Sequence, residues 1–189
     1  MIKLAIFASG GGSNAAKIIE YFVTHKTVEI SIIVCNKANA GVTEIASKNN
    51  IPSRVVSKLD LSDPVFITDL EKKGIAYIVL AGFLLQIPAL LIKHFPAKII
   101  NIHPALLPKY GGKGMYGHHV HEAVVNNNET VSGCTIHIVN EHLDEGAILF
   151  QAATQLAEPT IAAKIAEEVL QLEHRYFAKC VDAYIESQN

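Results

Sequence analysis

The chain has 189 residues, of which 50% are hydrophobic and 18% are charged, and its formal net charge is −2. This length suits a single α/β domain, predicted over residues 1–189, with enough apolar side chains for a sizeable core. A near-neutral charge without any basic run excludes nucleic acid and an anionic membrane surface from the expected partners.

The first hundred residues alternate between predicted strands and predicted helices. Short apolar runs bounded by turn residues predict the strands, and apolar residues at helical spacing predict the helices. The predicted strands are Ile2–Ala8, Val28–Cys35, 54–57, 75–81 and 98–101. The predicted helices are 14–25, 41–50, 63–73 and 88–94. This alternation is typical of a parallel sheet that helices cover on both faces.

The pattern changes after the fifth predicted strand. Prolines and glycines concentrated between residues 103 and 117 predict an irregular loop, and a helix is predicted at 118–127. Two predicted strands at 134–140 and 147–152 lie close enough in sequence to pair as antiparallel neighbours. The last predicted helix, 160–186, carries an apolar stripe of Ile161, Ile165, Val169, Leu172 and Tyr176. The fold class is therefore predicted as α/β: a Rossmann-like, three-layer αβα arrangement with a mostly parallel central sheet and antiparallel strands added after the fifth strand.

The cysteines and the apolar segments indicate the compartment. Cys35, Cys134 and Cys180 are odd in number and form no CxxC pair, which predicts small buried thiols in a reducing environment. The N-terminal apolar run is too short for the core of a secretion signal, and the longest apolar stretch, 78–92, is too short for a membrane span. We therefore predict a cytoplasmic protein that is not associated with a membrane.

A glycine-rich turn, residues 9–14, joins the first predicted strand to the first predicted helix. Glycines let the backbone approach a ligand closely, and the first N–H groups of a helix attract an anion. The turn also fits the dinucleotide fingerprint, but the second strand is followed by Asn36-Lys37 without the acidic residue that NAD requires. We predict a phosphate monoester on Gly12, Ser13 and Asn14. An NADP-binding oxidoreductase, supported by Lys37, and a plain tight turn remain the alternatives.

A second group of polar residues follows the fifth predicted strand. Because side chains alternate along an extended segment, Asn101 and His103 project to the same side. A carboxamide and an imidazole placed together suit a carbonyl that becomes an oxyanion. The loop 140–146 brings three carboxylates, and Asp144, if it reaches His103, would hold the imidazole in one tautomer. Such an acidic loop is otherwise simply solvated.

Four segments, residues 9–14, 80–83, 101–108 and 143–146, together resemble the folate-dependent formyltransferases. They occur in the order and spacing of that family, and the similarity covers essentially the whole chain. The resemblance implies the formyltransferase fold and the transfer of a formyl group from 10-formyltetrahydrofolate, a co-substrate, to the amine of glycinamide ribonucleotide (5′-phosphoribosylglycinamide) in purine biosynthesis. Another small amine as the acceptor is the alternative within the family.

The resemblance also implies residue roles. Asn101, His103 and Asp144 match the catalytic residues of the family, and His137 matches a residue beside its site. The phosphate and ribonucleotide are expected on Gly12, Ser13, Asn14 and Glu173. The folate is expected on Leu84, Leu85, Gln86, Ile87, Asn101, Asn140, Glu141, His142, Leu143 and Asp144.

The remaining histidines do not predict a metal site. His118, His119 and His121 lie within four residues, yet neighbours at this spacing do not share one helix face, and no cysteine or HExxH pattern supports them. We expect no metal, and small molecules as the partners. The sequence leaves a monomer and a homodimer equally open, as it does both isomers of the Leu107-Pro108 bond.

Overall fold

A computed structural model describes residues 1–158 and 160–188, which divide into two compact units, one ending at Asn101 and the other beginning at Ile102. The prediction of a single domain over 1–189 stays a prediction. None of the helices in the described ranges is long and apolar enough to cross a membrane.

The first unit is a parallel sheet with helical connections. Its strands are β1 (Ile2–Ala8), β2 (Val28–Cys35), β3 (Ser53–Val55), β4 (Ile75–Leu80) and β5 (Ile99–His103), the last of which continues into the second unit. Its helices are α1 (Ser13–Phe22), α2 (Gly41–Lys48), α3 (Pro64–Lys72) and α4 (Ala89–His94), with a 3₁₀ turn at Asp60–Ser62. The strand order is β3-β2-β1-β4-β5, and every neighbouring pair is parallel.

The predicted elements of this unit are all present, with shifts at their ends. The bounds of β1 and β2 are those predicted, because both strands are continuous apolar runs. α3 begins where Asp63 caps it by accepting the N–H of Val65, and Pro64 occupies the first turn. β5 is longer than predicted and includes His103, so the imidazole belongs to a strand and not to the loop that follows.

The second unit contains α5 (His118–Asn126), β6 (Val131–Ile138), β7 (Ile148–Gln155) and α6 (Ala162–Ser187). β6 and β7 pair antiparallel, from Val131 opposite Gln155 to His137 opposite Ile148, which confirms the predicted pairing. Their predicted bounds were wrong, since β6 begins three residues earlier and β7 ends three residues later. Ser132 and Gly133 interrupt the apolar pattern near the start of β6, and many positions of β7 are exposed, so apolar patterning did not predict these ends.

The apolar stripe predicted on the last helix is only partly correct. Ile165 and Val169 are buried, but Ile161 is 66% exposed and precedes the helix. The buried face continues in steps of four residues through Glu173, Phe177, Val181 and Ile185. This set of residues leaves Leu172 and Tyr176 at the margin of the buried face, because the helix packs on a different set of positions from the one predicted.

The fold class is confirmed: parallel strands with intervening helices come first, and an antiparallel pair follows the fifth strand. The three cysteines are free, with Cys35 and Cys134 buried and Cys180 partly exposed.

Candidate active site

His103 is the last residue of β5, and its side chain is only 5% exposed. Its Nε2 lies 2.7 Å from the backbone carbonyl oxygen of Tyr110. A carbonyl oxygen only accepts hydrogen bonds, so Nε2 must carry the proton and donate it. The other ring nitrogen, Nδ1, is therefore the one that is free of a proton in the neutral imidazole.

Asp144 lies in the loop between β6 and β7 and faces this second nitrogen. Its Oδ2 is 3.6 Å from His103 Nδ1, and its side chain is 9% exposed. The same oxygen accepts a 2.9 Å hydrogen bond from the backbone N–H of Gly112, which fixes the carboxylate. The imidazole thus lies between the Tyr110 carbonyl, at hydrogen-bond distance, and the Asp144 carboxylate, and only its doubly protonated form presents an N–H to each.

Two glycines make this placement of Asp144 sterically feasible. A Cβ on Gly111 would lie 2.6 Å from Leu107 Cδ2 and 3.2 Å from Asp144 Cβ, both too close. A Cβ on Gly146 would overlap the backbone carbonyl oxygen of Ile138. Position 146 therefore requires a residue without a side chain, and a Cβ at position 111 would displace the side chain of Leu107. The Leu107-Pro108 bond between His103 and Gly111 is cis, which the sequence left open.

His137 and His121 are buried imidazoles around the His103–Asp144 pair. His137 Nε2 lies 3.8 Å from Asp144 Oδ1. Burial lowers the pKa of His137, against the opposing effects of the Ile138 carbonyl and of Asp144. Burial also lowers the pKa of His121, and the charges of His118 and His103 add to this effect. Both rings are consequently poor proton acceptors at neutral pH.

The lowered pKa of His121 predicts a loss of stability in acid. Its ordinary pKa is 6.5, so the unfolded chain takes up a proton below that pH while the folded chain resists it. The free energy of unfolding should therefore fall as the pH drops below about 6.5, with a slope of at most about 1.4 kcal/mol per pH unit for this residue. Urea unfolding between about pH 7.5 and about pH 5.5 measures it. His121→Gln should give a shallower slope, and an unchanged slope would contradict the prediction.

Asn101 is on the same strand as His103 and ends the first unit. It pairs in register with Leu80 of β4, and its side chain is half-buried. Two residues along one strand place side chains on the same side, so Asn101 and His103 leave β5 in the same direction.

The glycine-rich turn of the first unit leads into α1. Gly12 is the residue before the helix and has a φ of +79°, a region that favours glycine. A Cβ at this position would also lie 2.8 Å from Val42 Cβ on α2. Ser13 is exposed and Asn14 is half-buried, and α1 has no side-chain cap and no acidic residue in its first turn. These features leave a start of α1 that suits an anion.

The two segments expected at the folate each present an apolar side chain to solvent. In the first unit, Leu84 is 51% exposed, and its backbone N–H donates to Ser9 Oγ at 2.8 Å, while Ile87 is buried. In the second unit, Leu143 is 45% exposed, next to a turn in which Asn140 accepts the N–H of His142. Exposed apolar side chains of this kind suit the face of an aromatic ring.

Glu173 was named by resemblance alone, and residue patterning missed it. It is 7% exposed, in the middle of the buried face of α6. Burial, together with the charge of Glu173, raises the pKa of the Cys134 thiol to about 12, which places the carboxylate near β6. The available signal was its spacing of four residues from both Val169 and Phe177, since a carboxylate in an apolar stripe marks a functional position.

The clustered histidines at the start of α5 pair with a carboxylate. His118 Nε2 lies 3.1 Å from Glu122 Oε1, and His119 Nδ1 lies 3.4 Å from Glu122 Oε2. Within residues 1–158 and 160–188, no group of three or more metal-ligating side chains is arranged to hold an ion.

Comparisons with known proteins relate the chain to formyl transferases. The Formyl transferase family model matches residues 2–181. The chain is 41% identical to the chloroplastic phosphoribosylglycinamide formyltransferase of Arabidopsis thaliana, covering 98% of this chain and 66% of that protein. It is 33% identical to the trifunctional purine biosynthetic protein adenosine-3 of Gallus gallus, covering 93% of this chain and 18% of that protein. The crystal structure of phosphoribosylglycinamide formyltransferase from Anaplasma phagocytophilum is similar at a TM-score of 0.86 and 32% identity, covering 95% of this chain and 85% of that one. The chain thus spans about two thirds or less of the length of the two curated relatives.

Proposed function

Because the chain belongs to the formyl transferase family, we propose that it transfers the formyl group of 10-formyltetrahydrofolate to the amine of 5′-phosphoribosylglycinamide in de novo purine biosynthesis. The names of the Arabidopsis thaliana and Gallus gallus relatives support this acceptor and this pathway. The single observation that carries the proposal is the buried pair of His103 and Asp144, which holds an imidazole between two acceptors.

The proposed reaction joins an amine to a formyl carbon. The lone pair of the neutral amine forms the new C–N bond, and the π electrons of the carbonyl move to its oxygen, which becomes an oxyanion. Collapse breaks the bond to the donor nitrogen, which gains a proton as the amine loses one. No covalent enzyme intermediate is needed, so the protein has to orient the reactants and stabilise the oxyanion.

In this proposal, Asn101 and His103 stabilise the oxyanion. The carboxamide of Asn101 donates one hydrogen bond, and the protonated His103 donates another through Nδ1. The Nδ1–Asp144 separation of 3.6 Å exceeds hydrogen-bond distance, so the Nδ1 proton is not held by Asp144 and can be donated to the substrate oxygen. Asp144 balances the positive charge and keeps the ring oriented, while the Tyr110 carbonyl holds Nε2.

The substrate phosphate is assigned to the start of α1. Backbone N–H groups of Gly12, Ser13 and Asn14 lie at the positive end of the helix dipole, and two of these residues add side-chain donors. Glu173 is assigned to the ribonucleotide, because a buried carboxylate accepts hydrogen bonds from hydroxyl groups.

The formyl donor is assigned to the residues that the family resemblance implies. The pterin ring is proposed to bind the exposed apolar side chains of Leu84 and Leu143, with Asn101 next to the formyl group. Its hydrogen-bonding groups are assigned to the surrounding residues Leu85, Gln86, Ile87, Asn140, Glu141, His142 and Asp144. These side chains and backbone groups fit an aromatic ligand that forms hydrogen bonds. The bound donor would supply the activated formyl group.

The decisive experiment is a two-substrate assay. Purified protein is mixed with glycinamide ribonucleotide and 10-formyl-dideazafolate, and the absorbance of the released deformylated folate is followed. We expect turnover that requires both compounds, with matched reactions that omit one compound as the controls. Titration of each compound separately, by calorimetry, measures whether the two bind independently of turnover.

Each outcome decides a different part of the proposal. Folate binding without turnover would overturn the acceptor and direct the search to another small amine. If neither compound binds, the proposed activity is wrong, and NADP, the ligand of the dinucleotide alternative, is the next titration.

We propose the cytoplasm as the place of action, on the ground of the free cysteines, whereas the Arabidopsis thaliana relative is named chloroplastic. The protein is proposed to act as a monomer or a homodimer, which sedimentation at several concentrations distinguishes.

A further inference from the structure

Lys109, Tyr110 and Glu129 form an ionic cluster next to the backbone carbonyl that accepts a hydrogen bond from His103. Glu129, in the turn between α5 and β6, accepts two hydrogen bonds on the same oxygen, Oε1. One comes from Lys109 Nζ at 2.8 Å and the other from the Tyr110 hydroxyl at 2.9 Å. The backbone N–H of Glu129 donates to the carbonyl of Val124 at 3.2 Å, so the turn anchors the carboxylate to α5.

Tyr110 connects this cluster to the imidazole. Its backbone has a φ of +57°, in the left-handed region, which costs a residue with a side chain roughly 1 kcal/mol. That conformation persists only where the surroundings hold it. The backbone carbonyl of Tyr110 accepts Nε2–H of His103 at 2.7 Å, while its hydroxyl is held by Glu129. One residue therefore joins the carboxylate to the ring.

The charges of the cluster strengthen the link. The hydrogen bonds from Lys109 and Tyr110 hold the pKa of Glu129 below its usual value. Burial and the hydrogen bond to Glu129 raise the pKa of the Tyr110 phenol. At neutral pH the carboxylate is consequently ionised and the phenol protonated, and hydrogen bonds between such partners are shorter and stronger than neutral ones.

We propose that Glu129 is a positioning residue that sets the tautomer of His103 through Tyr110, an inference that rests on the proposed function for its effect on turnover. Asp144 faces Nδ1 and would attract a proton there, whereas the Tyr110 carbonyl requires the proton on Nε2. With Tyr110 in place, the neutral ring carries its proton on Nε2, and Nδ1 stays open to receive the second proton. Without Glu129, Tyr110 leaves its strained conformation, and the neutral ring instead donates Nδ1–H to Asp144.

The test combines kinetics with the ¹⁵N NMR spectrum of the His103 ring, which distinguishes Nδ1–H from Nε2–H. The single variants are Tyr110→Phe, Glu129→Ala and Glu129→Gln, and a double variant combines Tyr110→Phe with Glu129→Ala. Glu20→Gln is the matched control, because Glu20 forms a comparable exposed pair with Lys17 at 2.7 Å.

We expect Tyr110→Phe and Glu129→Ala each to lower kcat about tenfold with little change in KM, and the double variant to lose no more than either, because the two residues act in one chain. The Nδ1–H tautomer should appear in their spectra. Glu129→Gln, which keeps an acceptor oxygen, should recover part of kcat, and the Glu20→Gln control should match the parent protein.

Two results would overturn the positioning role. One is an unchanged His103 spectrum in Glu129→Ala, even where the thermal midpoint and kcat fall, since that is the result of a purely structural residue. The other is a fully additive loss in the double variant. Absence of turnover in the parent protein would instead overturn the proposed function, and the tautomer spectrum would still decide the positioning role.

Discussion

Asp144→Asn is expected to lower kcat by at least about a hundredfold, with a smaller effect on KM. The carboxamide has nearly the same shape, and its oxygen can still accept the N–H of Gly112. It has no charge to balance a protonated His103. With its oxygen in the position of Oδ2, its NH2 group replaces Oδ1, which lies 3.8 Å from His137 Nε2. His103→Ala should cost at least as much, because it removes the proton donor to the oxyanion. Steady-state kinetics with both substrates saturating measures these losses.

The matched control is Asp69→Asn, which removes an exposed carboxylate 3.0 Å from Arg54 and should keep parent kcat. Thermal unfolding of each variant separates a loss of chemistry from a loss of fold. Near-normal turnover in either Asp144→Asn or His103→Ala would remove the pair from the proposed mechanism.

Gly146→Ala is expected to have the largest effect on stability. The added Cβ would overlap the carbonyl oxygen of Ile138, which is backbone at the end of β6 and cannot rotate away. Either the β6–β7 connection opens or the loop that carries Asp144 moves. We expect a loss of about 3 kcal/mol or more in the free energy of unfolding, and a strong loss of kcat in the protein that still folds. Urea unfolding and the two-substrate assay measure the two effects.

Gly114→Ala provides the control for this glycine. Gly114 has a φ of +87°, but its Cβ would meet no atom within 4 Å. It should cost only roughly 1 kcal/mol of backbone strain and leave kcat unchanged. Equal losses of stability in the two variants would show that close contact at Ile138 is not what requires glycine at position 146.

The buried strands could be predicted from the sequence because the side chains on both of their faces lie in an apolar environment. β1 and β2 lie inside a parallel sheet, so nearly every side chain of these runs is apolar and the runs end where the burial ends. β6 and β7 could not be bounded in the same way. Ser132 and Thr135 are buried polar residues, and Gly133 lies where the carbonyl of Ala152 leaves no room for a side chain. Hydrogen bonding and close approach, not hydropathy, decide those positions.

The stripe of α6 shows a related limit. An apolar stripe can follow steps of three or four residues, and the sequence offers apolar residues at both Leu172 and Phe177. Packing selects the steps of four, which turns Glu173 inward. Ile161 has the same spacing but is exposed, because it precedes the helix. Which of these positions are buried depends on the elements that pack against the helix, and the sequence of the helix does not contain that information.

By itself, the sequence determined the order of the elements, the glycine-rich turn, and the residue types of the candidate site, Asn101, His103 and Asp144. These depend on local patterns: apolar runs, turn residues, and polar side chains at the end of a buried strand. The tertiary structure alone decided that Asp144 faces Nδ1 of His103 and that the carbonyl of Tyr110 takes Nε2. It also decided that Glu129 holds Tyr110 from 19 residues away. Every residue has a backbone carbonyl, so the residue type of Tyr110 does not indicate this role. The role follows only from the position of that carbonyl beside the imidazole in the folded chain.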